Sequence, residues 1–92
     1  MNYIDVRWQH ENELDPIRLV SELDADNFET RKLEFFRDGS VGFASEYGAS
    51  RGVELGVVPV PSLEVINRDE QFNGAEISKA DFEKMWSNAT LS

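Results

Sequence analysis

Asp38-Gly39 separates two alternating runs, Phe28 to Arg37 and Ser40 to Tyr47, and no other feature restricts the fold of this chain as strongly. Asp-Gly at such a junction predicts a two-residue hairpin turn with positive φ at both central positions, which glycine adopts freely and aspartate tolerates. That turn sets a register in which Phe36 faces Val41, Phe35 faces Gly42, Glu34 faces Phe43 and Arg31 faces Glu46. An aromatic opposite a glycine and an acid opposite a base are both favourable cross-strand pairs. In this register Lys32, Glu34, Phe36, Val41, Phe43 and Ser45 share one face, and Leu33, Phe35, Gly42 and Ala44 share the other. Aromatics fall on both faces, so the pattern leaves open which one is core.

The flanking segments extend the hairpin into a sheet. Ile4, Val6 and Trp8 alternate with Asp5, Arg7 and Gln9, the period of a strand. Asp15-Pro16 closes a polar break, Ile17 to Leu23 reads as a second strand, and Asp24-Ala25-Asp26-Asn27 is a turn by composition. Gly48 to Gly56, with Ser50 and Arg51, reads as a mobile loop with room for a short strand at Val53-Glu54-Leu55. Pro59 and Pro61 exclude the next stretch from a central strand. A short helix is expected after Ser62, carrying Leu63, Val65 and Ile66. Ser78-Lys79-Ala80-Asp81 matches a capping box, with Ile77 and Phe82 as its hydrophobic staple. Phe82, Met85, Trp86 and Ala89 then line one helical face. The expected fold is α+β: a four- to five-stranded antiparallel meander with one or two C-terminal helices packed on one face. It forms a single domain over residues 1–92, with the sheet in 1–58 and the connector and helices in 59–92. Trp86 is the expected core aromatic.

Composition removes several classes of function. A chain of 92 residues buries only about 60–65 % of its unfolded surface, which suits one small domain. It has no cysteine, hence no disulfide framework, thiolate zinc site or thiol nucleophile. The N-terminus alternates like a strand rather than presenting a signal peptide, and no apolar run approaches the roughly 20 residues of a membrane span. A cytoplasmic protein is expected. The net charge is −9, and residues 1–30 hold eight acids against Arg7 and Arg18, a net −6. Such a field repels nucleic acid and anionic lipid and attracts a basic protein. It also opposes self-association, so a monomer is expected.

Little in the chain carries catalysis. His10 is the sole histidine, in phase with Trp8 at the end of the first strand, where a structural imidazole is the ordinary outcome. One histidine without cysteine argues against a transition-metal site. Asp24-x-Asp26 opens like a calcium loop, but Glu29 and Phe35 stand where glycine and a bidentate glutamate are required. Gly48, Gly52 and Gly56 are not followed by the Lys-Ser/Thr of a phosphate loop. No cofactor is implied. Arg31-Lys32-Leu33-Glu34 is the unusual stretch, because it puts charges in mid-strand.

The chain resembles a family of small, uncharacterised bacterial proteins classed as a domain of unknown function. The likeness rests on Tyr-Ile-x-Val-x-Trp-x-His at 3–10, Ser-Glu-Leu-Asp at 21–24, Arg-Lys-x-Glu-x-Phe-x-Asp-Gly at 31–39 and Gly-x-Ala-Ser-Glu at 42–46. Pro-x-Pro-Ser-Leu-Glu at 59–64 and Ile-Ser-x-x-x-Phe-Glu-x-x-Trp at 77–86 complete it. The resemblance implies a stand-alone bacterial domain without an assigned activity. Acidic proteins of this kind often serve as immunity partners of secreted toxins. The expectation is therefore a non-enzymatic binding module that covers a basic toxin, such as a nuclease, with Glu11, Glu13, Asp15, Glu22, Asp24 and Asp26 as contacts. The alternative is a small enzyme or ligand-binding domain with a pocket around His10, Arg31 and Glu46.

Overall fold

Why the chain closes where it does is seen in a computed structural model that describes residues 1–50 and 52–91. Strands β1 (Asn2–Trp8), β2 (Arg18–Leu23), β3 (Glu29–Phe35), β4 (Val41–Ser45) and β5 (Gly48–Ala49) follow one another as a meander. Helix α1 (Leu63–Ile66), strand β6 (Phe72–Glu76) and helix α2 (Lys79–Thr90) complete the chain. The six strands stand in the order β5-β4-β3-β2-β1-β6, and every pair is antiparallel. The α+β architecture with its antiparallel meander is thus present, with six strands and with the two helices divided between the faces. Strand β6 lies within 59–92, the stretch assigned to connector and helices. No strand forms at Val53-Glu54-Leu55, while Gly48–Ala49 of the expected loop pairs with β4. Arg51 lies outside the described residues.

The hairpin register differs from expectation by one residue. Phe35 pairs with Val41, Glu34 with Gly42, Leu33 with Phe43 and Arg31 with Ser45. Phe36 and Ser40 bracket a three-residue connection, with the Phe36 N–H donating to the Ser40 carbonyl at 2.9 Å. Gly39 has φ +88°, but Asp38 is not in the left-handed region; Asn27 is the non-glycine residue found there among the described residues. The Asp38 carboxylate accepts the Ser40 N–H at 2.9 Å, which favours a type I turn ending on a left-handed glycine. One residue of slip exchanges the facing sets. Leu33, Phe35, Val41 and Phe43 therefore share a face, and that face is core.

Helix α2 covers this face. The Ser78 hydroxyl accepts the Asp81 N–H at 3.0 Å, so the expected cap forms. Tyr3, Val20, Leu33 and Phe82 are buried together, with Phe35, Val41, Phe43, Ile77, Met85, Trp86 and Ala89 packed around them. Phe82 is the fully buried ring, while Trp86 is half-buried. The opposite face holds Ile4, Val6 and Leu23 beneath Val60, Leu63, Ile66 and Phe72. Here α1 sits very close to β6. A Cβ on Gly74 would meet Leu63 Cδ2 at 2.8 Å and Val6 Cγ2 at 3.2 Å, so glycine is required there by space.

The candidate site at one end of the sheet

Glu22 and Arg31 are direct cross-strand partners in the β2–β3 pair, beneath α2 and just before a bulge between Glu22 and Leu23. Arg31 Nε and Nη2 donate to Glu22 Oε1 and Oε2 at 2.9 and 2.6 Å, a bidentate fork. Nη2 also pairs with Glu83 of α2. The Arg31 guanidinium lies over Phe82 and Trp86, 4.8 and 5.2 Å from the ring centroids. Thr30 Oγ1 donates to Glu22 Oε1 at 2.7 Å. The Arg31 fork, then the Thr30 and Tyr3 hydroxyls, hold the Glu22 carboxyl down at about 2 against the burial that raises it. Burial first, and then the bond to Glu22, pushes the Tyr3 phenol up. The Arg31 guanidinium is stabilised in its charged form mainly by Glu22.

Beside this hub opens a cleft of about 660 Å³, within the range of ligand pockets. Its walls include Thr30, Arg31, Glu46, Tyr47, Leu55 and Trp86. Glu46 is exposed, and its bond to the Tyr47 hydroxyl pushes that phenol up. Five of the eight large apolar side chains exposed among the described residues belong to this end: Met1, Phe28, Tyr47, Val57 and Val58. Topology gathers them. Met1 precedes β1 beside the β2–β3 turn, Tyr47 follows β4, and the connector is tied to the β2–β3 hairpin on both sides of Val57-Val58. Those ties are the Gly56 N–H to Glu29 Oε1 at 2.6 Å and the Val60 N–H to the Asn27 carbonyl at 2.8 Å.

The acids expected to bind a partner do not form one surface. Glu11, Glu13 and Asp15 lie in the β1–β2 connection, at the far end of the sheet from Asp24 and Asp26. Asp24 builds its own turn, its Oδ1 accepting the Asp26 and Phe28 N–H groups at 2.9 and 3.0 Å. Glu22 is 7 % exposed and paired internally with Arg31, at the base of the cleft rather than on an open acidic surface.

The second set divides as well. Arg31 and Glu46 both line the cleft, but Arg31 faces Ser45 and pairs with Glu22 and Glu83. His10 is at the other end. Its Nδ1 accepts the Asn12 N–H at 3.0 Å, which leaves Nε2 to donate to the Pro16 carbonyl at 2.8 Å. Both ring nitrogens are hydrogen-bonded within the β1–β2 connection. Sequence reasoning missed Tyr47 and Glu83; the run of charges in mid-strand at Arg31 was the available signal, since a buried guanidinium requires carboxylates around it.

Among the described residues no group of three or more His, Asp or Glu is placed to hold a metal ion, and no helix is long and apolar enough to cross a membrane. The chain belongs to the family described as a domain of unknown function, DUF6881, which it matches over residues 2–91. Neither a curated protein nor a solved structure matches it.

Proposed function

We propose that this chain is a non-enzymatic binding module that receives a basic protein at the Met1–Asp24–Tyr47 end of its sheet. Its most concrete form is a cytoplasmic immunity protein covering the active site of a basic bacterial toxin, such as a nuclease. The observation that carries the reading is the gathering of exposed apolar side chains and acids at one end. Contiguous apolar surface rimmed by polar groups is the mark of an interaction site. Asp24, Asp26 and Glu46 supply the rim, and the net charge of −9 steers a basic partner toward it. Glu11, Glu13 and Asp15 at the other end contribute to that long-range field.

The test is titration of the protein with the product of the neighbouring gene, by calorimetry at two salt concentrations. Binding should weaken with salt and fall at least about tenfold in the double variant Asp24→Lys, Asp26→Lys. Glu11→Lys with Glu13→Lys should slow association with a smaller effect on dissociation. The reading is lost if no complex forms, or if reversal at Asp24 and Asp26 leaves affinity intact. The cleft favours one other reading, a small-ligand pocket bearing Arg31 and Glu46, from which His10 is excluded by its position.

A further inference from the structure

The protein already binds a guanidinium, its own. Arg31 is recognised by aromatic rings, Phe82 and Trp86, together with carboxylates, Glu22 and Glu83. The adjoining cleft repeats these ingredients. Trp86 forms one wall, Tyr47 is 92 % exposed at the mouth, and Glu46 lines the same cleft beside it. No lysine or arginine among the described residues forms an ion pair with Glu46. Among the described residues the lining side chains include Glu22, Glu29 and Glu46 against Arg31, and Arg31 is held by Glu22 and Glu83. An anion placed here would face that excess of carboxylates, whereas a cation is drawn in.

We propose that the cleft receives an arginine side chain of the protein partner. Its guanidinium stacks on Tyr47 and pairs with Glu46, and its stem lies along Leu55 and Met1. Arginine suits the site better than lysine, because a planar fork pairs with a carboxylate and stacks on a ring at once. This assignment rests on the binding-module reading above, and names the chemical group that reading leaves open.

The experiment is an NMR titration of the full chain with a short uncharged-flank peptide carrying one arginine, and with the same peptide carrying citrulline. The arginine peptide should shift the Trp86 indole N–H and the amides of Thr30, Ser45, Glu46 and Tyr47 in a saturable way. The citrulline peptide should bind at least about tenfold more weakly, and Glu46→Gln should cost about tenfold, one charge-assisted pair. Glu46 is exposed, so an unchanged melting curve shows that the variant folds. Equal binding of the two peptides, shifts confined elsewhere, or no shift at millimolar peptide overturns the arginine site. If the toxin binds and the peptide does not, the module stands and this assignment fails. If the peptide binds and the toxin does not, the assignment stands and the module's toxin fails.

Discussion

Arg31 and Lys32 are neighbours in sequence, point to opposite faces of the sheet, and meet opposite electrostatic fates. Under α2, Arg31 grips Glu22 with two bonds and lies on two rings, and the Glu22 carboxyl falls to about 2. On the other face, Lys32 Nζ lies 3.1 Å from Glu29 and 3.7 Å from Glu34, a single ammonium shared between two carboxylates. There burial outweighs the attraction of Lys32, and the Glu34 carboxyl is pushed up. Both clusters are largely screened from water. What separates them is donor geometry: a fork satisfies a carboxylate enough to offset its desolvation, and a shared point charge does not.

The largest effect should come from the aromatic floor of the first cluster. Phe82→Ala should cost about 3–5 kcal/mol by chemical denaturation, because Phe82 is fully buried. The half-buried Leu63 on the α1 face should cost less when truncated in the same way. Next, Arg31→Met strands Glu22 in the interior and should cost about 3 kcal/mol or more, while Lys32→Met should cost less, because the Ser21 hydroxyl and the Gly56 N–H still hold Glu29. Equal losses would break the comparison between the faces.

Acid provides the third test. Glu22 has a lowered folded-state pKa, so its contribution is complete above its ordinary value of 4.5 and is lost as pH falls toward about 2. The loss is on the order of 3 kcal/mol from a shift of this size, and Arg31→Met should abolish that limb of the stability–pH curve. Loss of the α2 cap in Ser78→Ala should cost about 1 kcal/mol, and Ser62→Ala on the four-residue α1 should cost less. The smallest effect should have the opposite sign. Glu34 has a raised folded-state pKa, so its favourable contribution is present below its unfolded value and disappears as pH rises through the folded one. Glu34→Gln should therefore raise the unfolding free energy at pH 7 by no more than about 1 kcal/mol, and leave it unchanged near pH 3.

Helix α2 was legible because its signals are local: a cap, a staple and one apolar face all within Ile77–Ala89. The hairpin was legible as a hairpin, but its register was not. The choice between two and three connecting residues turned on the Asp38 carboxylate capturing the Ser40 N–H, which a residue pattern does not express. Strand β6 was hidden for a different reason. Its Gly74 carries no side chain to show a strand period, and it is there so that Leu63 can approach. The acids of the first thirty residues read as one surface, yet Glu22, Asp5 and Glu29 are paired with Arg31, Arg18 and Lys32, and the others divide between two ends. The cleft drew on Met1, the β2–β3 hairpin, the end of β4, the connector and α2 at once, and no linear pattern joins those segments.

One side chain beyond both clusters governs how this sheet meets other sheets. Asn67 Oδ1 accepts the Gly74 N–H at 2.7 Å, and Asn67 Nδ2 donates to the Gly74 carbonyl at 3.0 Å. Both groups lie on the outer side of β6, the last strand of the row. A primary amide presents the same donor and acceptor as a peptide link, so Asn67 impersonates one residue of a seventh strand. A polypeptide arriving edge-on finds that place in the ladder taken, so one side-chain amide, about the size of a single peptide unit, disfavours cross-β pairing along β6.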